Sequence, residues 1–390
     1  MRIVEKRLRD LADRFSAIMV IGPGEAGKTT LCRAVFPDHG YVSLELPDAR
    51  EFAIRDPRGF LREYRAGAVI DGIELAPGLP GHLSEVMEDN SSPGRFVFTG
   101  SRRPVMSEDT EAALKNRVGY QYLLPMSLDE LRRFPSAPDD LWSTIWMGGY
   151  PRIHERRMNP NEWMGEYFGR FVQRDVLQTL RVADPDRFVS FCRLAAGRTS
   201  LERNLSALAG GTGVSHPTIR SWLSVLETSQ FLFSTPAGRP NPRRRAVKAD
   251  RLHFVDSGLA CYLLGIRDPE QLRVHPLRGA LFESWVASEV RKARLHRGLP
   301  AGLWHLREDR WLSVGLISEG ANRRMGVEVR PSETILPEFA RGLTRFLEEA
   351  SGWDPALPPA ARLVYAGDQA RTLSGVEVIP WFWVQDVDWH

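Results

Sequence analysis

"AIMVIGPGEAGKTTL", residues 17–31, contains the strongest pattern in the sequence. Five apolar residues come first, and GPGEAGKT at 22–29 then matches the spacing G-x-x-x-x-G-K-[ST]. The apolar run predicts a buried strand, and the following KTTLCRAVF predicts a helix that begins at Lys28. A strand, a glycine-rich turn and a helix in this order are the context in which this spacing forms a phosphate-binding loop.

The loop predicts binding of ATP with Mg²⁺. Its glycines let the backbone wrap closely around a phosphate, so that successive N–H groups and the helix N-terminus face the anion. Lys28 is expected to reach the β- and γ-phosphates, and Thr29 is expected to bind Mg²⁺. The predicted nucleotide-binding residues are Gly22, Pro23, Gly24, Glu25, Ala26, Gly27, Lys28, Thr29 and Thr30.

Two further strands end in polar residues suited to this site. Asp71 ends the apolar run of VIDGIELAP (69–77) and is predicted to join Thr29 at the metal. Ser101 ends RFVFTGS and is predicted to sense the γ-phosphate or to orient water. Predicted strands at 17–22, 41–46, 66–73 and 95–101 alternate with helical segments. This alternation predicts an α/β domain with a parallel sheet covered by helices on both faces.

Composition sets broad limits on partners and location. The 390 residues carry a net charge of only +3, so affinity for nucleic acid would have to come from local patches. Cys32, Cys192 and Cys261 lie far apart, without metal-ligand spacing, and predict buried thiols in a reducing compartment. No apolar run approaches the roughly 20 residues that span a bilayer. The sequence therefore predicts a cytoplasmic protein without a membrane partner.

Residues 204–233 have the pattern of a helix-turn-helix. NLSALAGGTGV predicts a helix and a glycine turn, and Ser215 is a plausible N-cap for a second helix. That second helix would present Thr218 and Arg220 to a DNA major groove. The basic stretch after it resembles a wing, whose predicted phosphate contacts are Arg243, Arg244, Arg245, Lys248 and Arg251. A solvated charged face or a protein-contact module explains the same pattern, so both readings stay open.

The order of these motifs resembles a known family across nearly the whole chain. It is similar to bacterial and archaeal AAA-type ATPases that join a P-loop domain, a winged helix and a restriction-endonuclease-like C-terminal domain. The matching stretches are GPGEAGKTTL (22–31), SLELPDAREFAIRDPRGFL (43–61), VIDGIELAPGL (69–79), FTGSR (98–102), LPMSLDEL (124–131), GGYP (148–151), FVDSGLACYLLG (254–265), GALFESWVASEV (279–290) and VEVRPSET (327–334). The resemblance implies a RecA/AAA-like P-loop domain at 1–135, a helical and winged-helix region at 136–270 and a nuclease-like α/β domain at 271–390.

The sequence departs from this family at its catalytic positions. Where the family usually has Asp-Glu-Ile-Gln, this chain has Asp71-Gly72-Ile73-Glu74, so the glutamate that polarises attacking water is missing. Arg117 is retained and by resemblance is an arginine finger that acts on the nucleotide of a neighbouring copy, which would require a homo-oligomer.

The C-terminal region departs in the same way. The resemblance places nuclease carboxylates at Glu283, Gly315 and Glu328, with a lysine at Arg330. Glycine offers no metal ligand and arginine stays protonated, so we expect a fold that no longer cuts nucleic acid.

These features favour an ATP-binding AAA-like protein with weak or absent hydrolysis, associated with DNA through the winged helix. Its predicted catalytic residues are Asp71, Ser101 and Arg117, with Thr29 and Asp71 at the metal. One alternative is an active ATPase that uses a displaced acid such as Glu74 or Glu25, and another is a nucleotide-gated adaptor for a protein partner.

Overall fold

The computed structural model describes residues 2–389 except 90–91, 105, 180–181, 183, 239–248 and 308–311. The predicted wing contacts Arg243, Arg244, Arg245 and Lys248 therefore lie outside the described residues. The chain divides into two compact units. The first comprises Met1–Pro125, Thr228–Gln230 and Leu295–Leu299, and the second comprises Met126–Glu227, Phe231–Arg294 and Pro300–His390.

The first unit contains a five-stranded sheet in the order β2-β3-β4-β1-β5, in which every neighbouring pair is parallel. Its strands are β1 (Ala17–Ile21), β2 (Gly40–Ser43), β3 (Ala68–Asp71), β4 (Phe96–Gly100) and β5 (Val118–Tyr122). Alternate residues of β1 belong to two different hydrophobic clusters, so apolar side chains cover both faces of the sheet. This confirms the predicted α/β architecture, and all five strands present their carboxyl ends at one edge.

The strand β5 is absent from the prediction, because Gly119 and Gln121 interrupt its apolar pattern. The helices of this unit are α1 (Glu5–Ala12), α2 (Lys28–Val35), α3 (Pro47–Arg55), α4 (Pro57–Glu63), α5 (Leu83–Asp89) and α6 (Glu108–Leu114). The predicted helical stretch after β2 divides between α3 and α4. There the Asp56 side chain accepts a hydrogen bond from the Gly59 N–H (2.8 Å) and caps the new helix.

The second unit begins with a helical part. Its helices are α7 (Leu128–Leu131), α8 (Leu141–Met147), α9 (Pro151–Arg156), α10 (Pro160–Phe171, continued by the π-helical segment Val172–Thr179), α11 (Pro185–Ala196), α12 (Leu205–Thr212), α13 (His216–Thr228), α14 (Ser257–Leu263) and α15 (Pro269–Val274). The predicted inward face of α13 is buried, and its Trp222 packs against Phe188 and Phe191 of α11. An antiparallel pair follows, formed by β6 (Leu232–Thr235) and β7 (Arg251–Phe254).

A mixed six-stranded sheet completes the second unit, with the order β12-β13-β11-β10-β9-β8. The strands are β8 (Leu303–Arg307), β9 (Ser313–Glu319), β10 (Arg324–Arg330), β11 (Pro359–Tyr365), β12 (Arg371–Leu373) and β13 (Val376–Pro380), accompanied by α16 (Arg278–Leu295) and α17 (Arg341–Ala350). All three cysteines are free and buried. Among the described residues, no helix has the length and apolar character needed to cross a membrane.

Candidate nucleotide-binding site

The phosphate loop runs from the end of β1 to the start of α2, and its shape depends on two glycines. The Gly22 N–H donates to the Gly100 carbonyl of β4 (3.1 Å), and a Cβ atom at Gly22 would lie 1.9 Å from the Leu123 carbonyl oxygen. Gly27 has φ 89° and is the N-cap of α2. Because glycine has no side chain to cap the helix, the first N–H groups of α2 remain available to an anion.

Lys28 lies across the loop. Its ammonium donates to the carbonyls of Gly22 (2.9 Å) and Pro23 (2.8 Å). Burial lowers the pKa of Lys28, while the negative charges of Glu74 and then Asp71 act in the opposite direction. The loop carbonyls thus hold the lysine that is predicted to contact a bound phosphate.

Asp71 accepts hydrogen bonds from three hydroxyl groups at the carboxyl edge of the sheet. Its Oδ2 accepts from Thr29 Oγ1 (2.9 Å) and from the Tyr41 hydroxyl (3.2 Å), and its Oδ1 accepts from Thr99 Oγ1. The strand order makes this possible, because β3 and β4 are neighbours and pair Asp71 with Thr99. Carboxylate and hydroxyl oxygens are hard donors, so Thr29 and Asp71 fit the chemistry of Mg²⁺.

Glu74 forms a second acidic centre beside the loop. Gly72 adopts a left-handed conformation (φ 85°, ψ 41°) before the 3₁₀ turn Ile73–Leu75. Glu74 Oε1 accepts from both the N–H (3.0 Å) and the Oγ (2.6 Å) of Ser101. The other oxygen, Oε2, is buried and has no hydrogen-bond partner within the described part of the chain.

The remaining predicted residues occupy different places. Glu25 and Thr30 are exposed on the loop and on α2. Arg117 immediately precedes β5, and β5 pairs in parallel with β1 from Ala17↔Val118 to Ile21↔Tyr122. Arg117 therefore lies at the amino edge of the sheet, opposite the loop, where it donates to the Ser84 carbonyl (3.3 Å). A contact between Arg117 and a phosphate would thus need the site of another copy.

Three residues at this site were not predicted. Tyr41 and Thr99 bind Asp71, and Arg2 donates to the carbonyls of Ala26 (2.9 Å) and Leu124 (2.7 Å). Thr99 could have been found from the sequence, since it is the polar residue that follows the apolar run FVF near the end of a predicted strand. Arg2 could not have been found in this way, because the residues it contacts are 24 and 122 positions away in the sequence.

In the second unit, the structure brings together the three carboxylate positions implied by resemblance. The Gly315 N–H donates to Glu328 Oε1 (3.1 Å), and a Cβ atom at Gly315 would lie 2.5 Å from Glu283 Oε1. An arginine neutralises each glutamate: Arg251 pairs with Glu283 (2.9 Å) and Arg330 with Glu328 (3.1 Å). Among the described residues, no group of three or more His, Cys, Asp or Glu side chains could hold a metal ion.

A basic cavity of about 550 Å³ opens in the same unit. The lining residues are Arg198, Ser200, Leu201, Glu202, Arg203, Asn204, Leu205, Ala249, Arg251 and Arg307. Asn204 is the N-cap of α12, whose N-terminus therefore adjoins the cavity. On α13, Arg220 is exposed, whereas the Thr218 N–H and hydroxyl both contact the Ser215 hydroxyl at the start of the helix.

Comparison with protein families gives three successive matches. Residues 14–132 match an AAA domain, residues 138–270 match a domain of unknown function (DUF8612) and residues 278–384 match another (DUF4143). The AAA match spans the five parallel strands and the phosphate loop. Together with the loop geometry it supports an AAA-type P-loop domain in the first unit.

Comparison with individual proteins gives two sequence relatives and several weak structural matches. Uncharacterized proteins of Mycobacterium bovis and Mycobacterium tuberculosis are each 27% identical over 380 residues, covering 95% of this chain and 81% of theirs. Among solved structures, a Walker-type ATPase of Pyrococcus abyssi is 13% identical, with a TM-score of 0.42 over 67% of this chain and 94% of that one. A signal transduction ATPase of Pyrococcus horikoshii has a TM-score of 0.23 and 12% identity, over 75% of this chain and 49% of that one.

Proposed function

We propose that the AAA-type domain binds ATP with Mg²⁺ and that hydrolysis is slow. The observation that carries this proposal is the joint placement of Lys28 across the loop and of the Thr29–Asp71 pair at the adjacent strand end. Lys28 would exchange its two carbonyl partners for phosphate oxygens, and Thr29 with Asp71 would hold the metal. Slow hydrolysis is proposed because the residue after Asp71 is glycine, which cannot orient water.

The test is calorimetric titration with ATP and Mg²⁺. Lys28→Ala removes a charged contact to the phosphates, and losing such a contact costs about 1.5–3 kcal/mol, so binding should weaken by roughly 10- to 150-fold. Lys115→Ala is the matched control, since Lys115 is an exposed lysine of the same unit. Equal affinity in wild type and Lys28→Ala would refute the proposed site.

Association with nucleic acid is a second candidate function, and the basic cavity favours it. Four arginines line the cavity beside the N-terminus of α12. Arg203, Arg251 and Arg307 are paired with carboxylates, so Arg198 and the helix N–H groups are the groups that would attract phosphate there. The order α12, α13, β6 and β7 supports a winged helix, in which exposed Arg220 would lie on the DNA-facing helix. We propose that this unit contacts the nucleic-acid backbone without cutting it, because Arg251 and Arg330 occupy both glutamates of the nuclease-like centre.

This candidate is tested with labelled double-stranded DNA of two unrelated sequences, over a range of salt concentrations and with Mg²⁺ present. Arg198→Ala and Arg220→Ala should each weaken binding similarly for both sequences and reduce the salt slope by about 0.9 per lost phosphate contact. Arg193→Ala is the control, being exposed on α11 and not part of the cavity lining. Unchanged affinity and slope would favour the nucleotide-gated adaptor, and cut DNA would refute the inactive centre.

A further inference from the structure

We infer that Glu74 is the acid that orients and deprotonates the water attacking ATP in this chain. The inference rests on the proposed binding of ATP with Mg²⁺ at the phosphate loop. It assigns to Glu74 the part that a carboxylate at position 72 would otherwise play, and it makes whatever turnover the protein has dependent on this one side chain.

The backbone between Asp71 and Glu74 places the side chain. Gly72 at φ 85° lies in a region that L-residues with side chains rarely adopt, and it reverses the chain into the 3₁₀ turn Ile73–Leu75. The turn carries Glu74 from the end of β3 across to the end of β4, where Ser101 binds it. The glycine that removes the usual acid is therefore also the residue that permits the replacement.

Among the described residues, Glu74 has a carboxylate oxygen without a hydrogen-bond partner, whereas both oxygens of the neighbouring Asp71 are occupied. Both Asp71 oxygens already accept hydrogen bonds from hydroxyl groups. Glu25 is exposed to solvent. Glu74 Oε2 is buried, meets no partner among the described residues, and would lie 3.0 Å from a Cβ atom placed on Gly100. Gly100 in turn accepts a hydrogen bond from Gly22, the first residue of the loop.

The negative charge of Glu74 also acts on the phosphate-binding lysine. Of the acids that raise the pKa of Lys28 against its burial, Glu74 has the largest effect, ahead of Asp71. The geometry agrees, because Glu74 Oε2 faces Gly100, whose carbonyl accepts from the N–H of the first loop residue, Gly22. A general base must be within hydrogen-bond reach of the water it activates, and we assign that role to Glu74 because its Oε2 adjoins the loop and has no hydrogen-bond partner among the described residues.

The proposed step is simple hydrolysis. The water oxygen forms a bond to the γ-phosphorus while the bond from that phosphorus to the β–γ bridging oxygen breaks, and its electron pair stays on ADP. The proton lost by the water passes to Glu74 Oε2 and then to solvent. Ser101 is a positioning residue, since its two hydrogen bonds hold Oε1 and so direct Oε2.

The experiment compares ATP binding and turnover in the full chain. Glu74→Gln keeps the size and the acceptor oxygen for Ser101 but cannot take a proton, so turnover should fall by about 100-fold or more, since general bases contribute about 10²–10⁴-fold. Affinity for ATP should be retained. Glu63→Gln, on an exposed glutamate of α4, is the matched control and should change neither quantity.

Two further variants separate catalysis from a structural role. Ser101→Ala should lower kcat with little change in KM, and Ser101→Thr, which keeps both donors, should restore most of the rate. Gly72→Glu should lower turnover, because a side chain at φ 85° disturbs the turn that places Glu74. If the missing acid at position 72 were instead the sole defect, Gly72→Glu would raise turnover, and the inference would be wrong.

The outcomes distinguish this inference from the proposed function. Loss of ATP binding only in Lys28→Ala, with turnover lost in Glu74→Gln, supports both. Two outcomes would overturn the role of Glu74 and leave the nucleotide site intact. In the first, the wild type binds ATP but its turnover does not exceed that of Lys28→Ala. In the second, the wild type and Glu74→Gln have equal turnover. Absence of ATP binding in the wild type overturns the proposed function itself.

Discussion

Single residues at the loop are constrained by backbone contacts as well as by chemistry. Gly22 is the clearest case, because the Leu123 carbonyl occupies the space that any side chain would need. Gly72 is constrained by its conformation, since its φ of 85° disfavours every L-residue with a side chain. Glycine is therefore required at position 22 by lack of space, and it is favoured at position 72 by the backbone conformation.

Gly22→Ala should destabilise the first unit and abolish nucleotide binding. The new Cβ would lie 1.9 Å from a backbone oxygen that cannot rotate away, so the loop must move, and such overpacking costs about 1–3 kcal/mol or more. Thermal unfolding and ATP titration measure both effects.

The matched control for this substitution is Gly78→Ala. Gly78 has φ −77° with nothing within 4 Å of the added Cβ, so alanine should be neutral or slightly stabilising there. An equal fall in stability for Gly22→Ala and Gly78→Ala would show that the close approach to Leu123 is not the cause.

At the scale of elements, Asp256 connects two stretches on which the family resemblance depends. It caps α14 by accepting from the Leu259 N–H (3.0 Å), and it also accepts from the Gly149 N–H (2.7 Å) before α9. The FVDSG and GGYP stretches, more than 100 residues apart, therefore share one buried carboxylate. Burial raises the pKa of Asp256, while the positive charge of Lys292 acts in the opposite direction.

Asp256→Ala should cost about 3 kcal/mol of stability, because it leaves two buried N–H groups without an acceptor, at about 1–3 kcal/mol each. Asp268→Ala is the control, as Asp268 caps α15 at the surface by accepting from the Gln271 N–H (2.7 Å). An exposed cap typically contributes about 1 kcal/mol. Urea unfolding of the two variants compares them, and a smaller loss for Asp256→Ala would contradict its linking role.

At the scale of the whole molecule, the two units use their sheets differently. In the first unit all strands are parallel, so their carboxyl ends gather Asp71, Thr99 and Ser101 beside the loop. In the second unit the antiparallel pairing of β9 with β10 brings Gly315 next to Glu328, and α16 adds Glu283. Within the described residues, the first arrangement leaves one Glu74 oxygen without a hydrogen-bond partner, whereas the second pairs each glutamate with an arginine.

The sequence by itself determined the phosphate-loop pattern and four of the five parallel strands. It could do so because the loop pattern is local: a strand, a glycine turn and a helix N-terminus lie within 15 residues. The helices α12 and α13 were readable for the same reason, since capping and helical periodicity act over a few residues.

Only the tertiary structure decided which acid lies beside Lys28 and what surrounds the nuclease-like centre. Glu74 is three residues from Asp71 in sequence, but its position depends on a left-handed glycine and on Ser101, 27 residues later. Arg251 reaches Glu283 across 32 residues and the Gly315 carbonyl across 64. Such contacts depend on strand order and chain reversals, which bring distant segments of the chain together. Local sequence patterns extend over a few residues and therefore do not predict them.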